Sequence, residues 1–254
     1  MTSLFEPCLY LTIRPVNDCE TSPKDVKGEC LSMLKKLRLA IFDLDQTLVN
    51  TLKRAYHVYN YARKAFGLDP VDWSTFYVLF RDDKLSIDIP EDIQKHFWST
   101  FRKKYCEFFS EEDKPFDGVR DLLKKLKSRG MIIVVTTGRS CPPEVIWDEL
   151  ESYGLSDLVD DVYTAMGYDE NEEIPFERSA ILRIILDKYK VSPSEAIFVA
   201  DYLPDMYAGK KVGVLTIGVK TGLKSESLLK AYGADFVLES VADLWDFLRS
   251  LGVI

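Results

Sequence analysis

Arg38-Leu39-Ala40-Ile41-Phe42-Asp43-Leu44-Asp45-Gln46-Thr47 is the stretch that decides the fold. Its first half is a short apolar run and its second half a polar loop. A buried parallel strand reads this way, nearly continuous in apolar residues and stopping abruptly. The pattern recurs at Met131–Val135, which runs into Thr136-Thr137-Gly138-Arg139, and at Ala196–Ala200, which runs into Asp201-Tyr202-Leu203-Pro204-Asp205. Further short apolar runs lie at Val214–Val219 and Asp235–Leu238. Helical patterns occupy Gly118–Arg129, Pro143–Tyr153, Glu177–Tyr189, Ser225–Tyr232 and Val241–Leu251. Strands alternating with helices of this length predict an α/β chain with a parallel sheet and helices on both faces.

Residues 51–116 break that rhythm. They read as three helices, Thr51–Phe66, Trp73–Phe80 and Glu91–Phe109, with no convincing strand. An all-helical block inserted after the first strand predicts a cap over the mouth of the sheet. The expected organisation is an N-terminal extension (1–37), a core of residues 38–50 and 117–254, and a helical cap of 51–116. The extension mixes a β-like stretch, Leu9 to Ile13, with turn formers and charges, and an upstream start ahead of Met33 is one plain account of it. The cap is rich in aromatics (Tyr56, Tyr59, Tyr61, Phe66, Trp73, Phe76, Tyr77, Phe80), and helical spacing such as Tyr56–Tyr59 is that of a core stripe.

The composition narrows the chemistry. In 254 residues, 33 Lys and Arg face 41 Asp and Glu, a net charge of −8, and 46% of residues are hydrophobic. That is ordinary globular usage with ample material for a core. The acidic balance argues against nucleic acid or an anionic membrane as partner. No apolar run approaches the ~20 residues that span a bilayer, and the N-terminus has no basic region ahead of its short apolar stretch. Five cysteines (Cys8, Cys19, Cys30, Cys106, Cys141) show no metal-ligand spacing, and His57 and His96 are the only histidines. A cytoplasmic chain with carboxylate-based chemistry is the expectation, and Cys141 reads as a packing residue.

In open α/β sheets ligands bind outside the carboxyl ends of the strands, and here those ends carry acids and hydroxyls. Asp43 and Asp45 stand two apart at an extended strand end, so they project to the same side. Paired carboxylates repel unless a proton or a cation relieves them. A hard divalent ion such as Mg²⁺ suits them, being commonly held by one or two carboxylates together with substrate phosphate.

Asp43-Leu44-Asp45-Gln46-Thr47 resembles the D-x-D-x-T signature of the haloacid dehalogenase-like hydrolase superfamily. The Thr-Gly-Arg end of the second run resembles its second motif, and Asp201 through Asp205 its D-x-x-x-D motif, with Ala200 where Gly is usual. The resemblance spans roughly residues 38–250 and implies a Rossmann-like core with a C1-type helical cap, closest to the phosphoglycolate phosphatase-like and sugar-phosphate phosphatase-like branches. It implies a Mg²⁺-dependent phosphatase acting on a small phosphorylated metabolite. In it Asp43 is the nucleophile that forms an aspartyl-phosphate, and Asp45 is the acid and then the base. Thr137, with Gly138, holds a phosphoryl oxygen, Thr136 being the competing candidate for that register. Metal ligands are Asp43, Asp201 and the Asp45 carbonyl. Thr47 caps the loop. Asp205 supports the site or complements a helix N-terminus. Arg178 falls where the family's third motif usually has Lys; it can neutralise phosphate but cannot lose its proton. Arg139 stands close to the same loop, either as a substrate contact or as an exposed basic residue without function, and Tyr202 and Pro204 narrow the pocket.

Two rival readings share these residues. One is a phosphotransferase or mutase of the same superfamily, differing in the acceptor of the phosphoryl group. The other is a non-catalytic phosphate or metal binder that keeps the fold. The physiological substrate and the oligomeric state are not readable from the sequence.

Overall fold

The computed structural model describes residues 37–166 and 178–254. The β-like stretch Leu9–Ile13, Met33, Cys8, Cys19, Cys30 and Glu177 lie outside the described residues. Along the chain run β1 (Leu39–Asp43), β2 (Val49–Asn50), α1 (Leu52–Ala65), α2 (Trp73–Arg81), α3 (Glu91–Glu107), β3 (Lys114–Pro115), α4 (Val119–Ser128) and β4 (Ile132–Thr136). There follow α5 (Pro143–Ser152), β5 (Asp161–Tyr163), α6 (Arg178–Tyr189), β6 (Ala196–Ala200), α7 (Leu203–Val212), β7 (Leu215–Val219), α8 (Glu226–Ala231), β8 (Phe236–Leu238) and α9 (Leu244–Ser250).

Six strands form one sheet in the order β5-β4-β1-β6-β7-β8, and every pair in it is parallel. The fold is α/β and Rossmann-like, as the strand and helix pattern predicts. All five residues of β1 are buried, and the pleat sends them to two different cores. Ala40 and Phe42 join α4, α5 and α9 on one face through Leu122, Ile146 and Leu244. Leu39 and Ile41 meet α6 and α7 on the other through Ile181, Ile185 and Met206. With its next-in-sheet neighbours on opposite sides, β1 sits where the strand order reverses, so the crevice lies at the carboxyl ends of β1, β4 and β6.

The loop after β1 turns back at once. Gln46 adopts the left-handed region with φ 58°, and the Leu44 carbonyl accepts from the Leu48 and Val49 amides at 2.9 and 3.0 Å. This leads into β2, which pairs antiparallel with β3, Val49 opposite Pro115 and Asn50 opposite Lys114. Both chain crossings to α1–α3 therefore run side by side. The three helices close over their own core of Val58, Tyr59, Phe76, Phe97, Trp98 and Phe101. The aromatic stripe is accordingly mostly core, with Tyr61 the exception at 51% exposed.

Several elements go beyond the sequence reading, among them the two-residue strand β3, which lies within the stretch read as all-helical and is too short to leave a pattern. β5 is a three-residue edge strand with only Val162 buried, too short to leave a pattern. α7 follows directly on Asp201 and contains Pro204 and Gly209. Gly209 is demanded by packing, because a Cβ there would overlap the Thr216 side chain on β7. Gly209→Ala is expected to destabilise the protein by about 1–3 kcal/mol through overpacking, despite alanine's better helix propensity. Urea unfolding reads this as a lower midpoint, and an unchanged midpoint would contradict the close α7–β7 contact.

Candidate active site

Asp43 closes β1 beside Thr136, its register partner at the end of β4. Arg178, on the first turn of α6, reaches across both. Its Nη2 donates to Asp43 Oδ1 at 2.9 Å, its Nη1 to Thr136 Oγ1 at 2.8 Å, and its Nε to Asp205 Oδ1 at 2.8 Å. All of these side chains are buried. The guanidinium thus bridges three strand- and helix-end groups, a geometry that a lysine ammonium could not reproduce. Asp205, on the first turn of α7, serves as the partner of Arg178, a role beyond complementing the helix dipole.

Asp201 follows β6 and leans on the same spot. The Thr47 hydroxyl lies between it and the β1 acid, 3.3 Å from Asp201 Oδ1 and 3.5 Å from Asp43 Oδ2. Thr47 therefore touches both carboxylates as well as ordering its loop. Behind Asp201 stands Gly222, where a Cβ would overlap the carboxylate.

Asp45 faces a different set of partners. Arg139 grips it bidentately, Nε to Oδ2 at 2.8 Å and Nη2 to Oδ1 at 2.6 Å. The hydroxyls of Thr51 (2.8 Å), Tyr105 (3.1 Å) and Thr137 (3.3 Å) donate to the same carboxylate. The expectation of an exposed Arg139 is corrected here: it is 4% exposed. Asp45 and Glu149, which accepts from Arg139 Nη1 at 2.7 Å, pull it inward. Of the two threonines, Thr136 stands beside Asp43 and Thr137 beside Asp45. Gly138 lies against Arg178, and a Cβ there would meet Nη2 at 3.8 Å, an ordinary contact.

The model for haloacid dehalogenase-like hydrolases matches residues 40–219. The chain belongs to this family. Among its relatives is a phosphoglycolate phosphatase of Vibrio vulnificus, 23% identical over 84% of this chain and 96% of that protein. An N-acetylmuramic acid 6-phosphate phosphatase of Pseudomonas aeruginosa is 23% identical over 85% and 97%. Among solved structures, a haloacid dehalogenase-like hydrolase family protein from Streptococcus pneumoniae superposes with a TM-score of 0.70 at 18% identity, covering 84% of this chain and 99% of that one.

Sequence reasoning missed several residues of this haloacid dehalogenase-like site. Arg54, on α1, donates to Asp113 Oδ2 at 2.6 Å and to Glu149 Oε1 and Oε2 at 2.7 and 3.0 Å. An alternating chain of buried charges, Asp45–Arg139–Glu149–Arg54–Asp113, thereby links the site to the helical lobe and its return crossing. Losing one member of such a chain leaves its partner unpaired and costs about 3–5 kcal/mol. On the opposite rim Lys224, 4% exposed, donates to the Phe80 and Arg81 carbonyls at 3.2 and 3.0 Å. Tyr202 OH lies 3.4 Å from both carboxylate oxygens of Asp83. Tyr202 therefore reaches the helical lobe, and these contacts hold α2 against the sheet side of the molecule. None of these pairings has a local spacing that could announce it.

The two halves of the site differ electrostatically. Burial opposes ionisation of Asp45, but the charge and hydrogen bonds of Arg139 outweigh it and hold the carboxyl down to about 2. Asp43 goes the other way: burial lifts it well above the carboxylate range, Arg178 pulls it back, and the charges of Asp205, Asp201 and Asp45 lift it further. Asp201 is pushed up to about 8 by burial and then by the charge of Asp205. With Asp43 and Asp201 both ionised beside Asp205, the cluster would hold more acidic groups than the one guanidinium of Arg178 can neutralise. A divalent ion between Asp43 and Asp201 fits that deficit, although no cluster of three or more His, Cys, Asp or Glu side chains among the described residues is arranged to hold a metal. The fit is to two carboxylates and a main-chain carbonyl.

A raised carboxyl pKa means the folded protein keeps a proton that the unfolded chain has lost, so stability falls as pH rises from the unfolded value near 4 toward about 8 for Asp201. Asp45, held low, is constant across that window. In EDTA the unfolding midpoint is therefore expected to drop between pH 5 and 8, and Mg²⁺ to recover it most at the upper end. A midpoint that Mg²⁺ does not move at pH 8 would contradict the charge deficit.

Proposed function

We propose that this chain is a Mg²⁺-dependent phosphatase that hydrolyses a small phosphomonoester through an aspartyl-phosphate on Asp43. The observation that carries the reading is the Arg178 fork, which places a fixed positive charge against Asp43, Thr136 and Asp205 at the point where the strand order reverses. A phosphoryl group seated on Asp43 would meet that guanidinium bidentately, while the Thr136 and Thr137 hydroxyls and the Gly138 amide supply further donors. The names of its relatives support a phosphorylated metabolite of the phosphoglycolate or sugar-phosphate kind.

Held by Asp43, Asp201 and the Asp45 carbonyl, Mg²⁺ would screen the phosphoryl charge from the nucleophile. Asp43 attacks phosphorus as a carboxylate. Asp45 in the described state is the base form, ready to take a proton from the water that releases phosphate. To donate a proton to the leaving oxygen it must first part from Arg139. Tyr105 on α3 and Thr51 ahead of α1 both hold Asp45, so residues 51–116 complete the site when closed and act as its cap, and opening admits substrate. We place the reaction in the cytoplasm, where thiols such as Cys106 and Cys141, both unbonded, stay reduced.

Phosphate release from p-nitrophenyl phosphate and a panel of small phosphomonoesters tests the reading, with Mg²⁺ and with excess EDTA. Turnover is expected with Mg²⁺ only, and Asp43→Asn should abolish it while leaving the fold intact. Arg178→Ala should cost about 10²–10³-fold in kcat, with Arg178→Lys recovering only part because it lacks the fork. Full activity in Asp43→Asn would sink the nucleophile assignment.

A further inference from the structure

Glu149 is a buried acid with no part in the proposed mechanism. It sits on α5, three residues after Ile146 and one before Leu150, on the helix face that packs into the core. That spacing suits an apolar side chain. The position instead holds a carboxylate, 5% exposed, between two buried guanidinium groups. Arg139 Nη1 and Arg54 Nη1 both donate to Glu149 Oε1 at 2.7 Å, and Arg54 Nη2 donates to Oε2 at 3.0 Å. Arg54 is fixed in turn by its Nε, which donates to Asp113 Oδ2 at 2.6 Å. The Tyr105 ring lies beside both cations, its centroid 5.1 Å from Arg139 Cζ and 5.5 Å from Arg54 Cζ, and its hydroxyl donates to Asp45.

This arrangement bears on what Arg139 does when Asp45 moves. Arg139 divides its fork: Nε and Nη2 face Asp45, and Nη1 faces Glu149. In the proposed mechanism Asp45 must leave Arg139 to reach the leaving oxygen. An unanchored arginine has the rotamer freedom to follow it and keep it bound. A guanidinium tied at its other end to a helix-borne carboxylate stays behind and keeps a charge partner. Arg54 stiffens the tie, because it holds Glu149 through a second charged fork.

We propose that Glu149 is a positioning residue for this reaction, anchoring Arg139 so that Asp45 can turn from it to a leaving oxygen that needs a proton. The effect on turnover rests on the phosphatase reading above; the anchoring does not. An ion-pair staple between α1 and α5 with no such role would act differently. Its loss would reduce the amount of folded protein and so lower turnover of every substrate equally.

The test compares kcat and KM for two substrates of the full chain with Mg²⁺. p-Nitrophenyl phosphate releases a stable anion, whereas an alkyl phosphomonoester releases an alkoxide that needs a proton. Glu149→Gln should lower kcat on the alkyl ester by about 10²-fold, the scale of a general-acid contribution, and change p-nitrophenyl phosphate turnover and both KM values far less. Glu149→Asp keeps the charge on a shorter arm and should show the same bias at smaller size; it carries the test if Glu149→Gln does not fold. In an Arg139→Gln background, Glu149→Gln should add no bias. Equal losses on the two esters, or a bias that persists without Arg139, would overturn the proposal. Should the wild type hydrolyse neither ester, the phosphatase reading fails by itself, and a crystal structure of the folded variant still decides the anchor. Arg139 Nη1 is expected to withdraw from α5 toward Asp45, and an unmoved guanidinium would overturn the anchoring.

Discussion

Asp43, Asp201 and Asp205 crowd around the guanidinium of Arg178, which pairs directly with two of them inside a water-poor crevice. Burying charges costs several kcal/mol each unless partners repay it, so this cluster can exist only because the backbone forces it. The forcing is topological. β1, β4 and β6 end side by side, and α6 and α7 both start at that edge, delivering Arg178 and Asp205 to the same place. What remains is an uncompensated negative charge that a divalent ion and a phosphoryl group together can use: the ion to neutralise it, the phosphoryl group to take over the arginine.

The second cation solves a different problem. Arg139 fixes Asp45 as a carboxylate and is itself anchored by Glu149, which Arg54 also holds. Arg54 stands on α1 and Tyr105 on α3, so the helical lobe takes part in positioning Asp45. In the proposed mechanism Asp45 alternates between giving and taking a proton, and these pairings tie that residue to the lobe.

Much of this was legible in the sequence because strand ends announce themselves. An apolar run cut off by Asp43, by Thr136 or by Asp201 marks both a buried strand and its polar end, and the resemblance to the family's third motif pointed to Arg178 without any contact being visible. Burial of Arg139 was not legible, since its partner Asp45 is 94 residues away and an arginine after Thr-Gly looks the same whether solvated or paired. Arg54, Glu149, Asp113 and Lys224 escaped for the same reason: charge pairing between distant elements has no period. β5 escaped because an edge strand with one buried residue leaves no alternation to read. The choice between Thr136 and Thr137 stayed open because the strand ends between them, so that both hydroxyls reach the site from different sides.

The central claim is a covalent phosphoryl group on Asp43, and chemical trapping tests it most directly. The protein would be mixed with Mg²⁺ and a phosphomonoester that it turns over, quenched in acid during the steady state, and reduced with borohydride, which converts an acyl phosphate to the alcohol. Peptide mapping should then find the reduced side chain at position 43, dependent on substrate and absent from Asp45, Asp201 and Asp205. Phosphate released at full rate with an unmodified Asp43, or trapping at another carboxylate, would contradict the account.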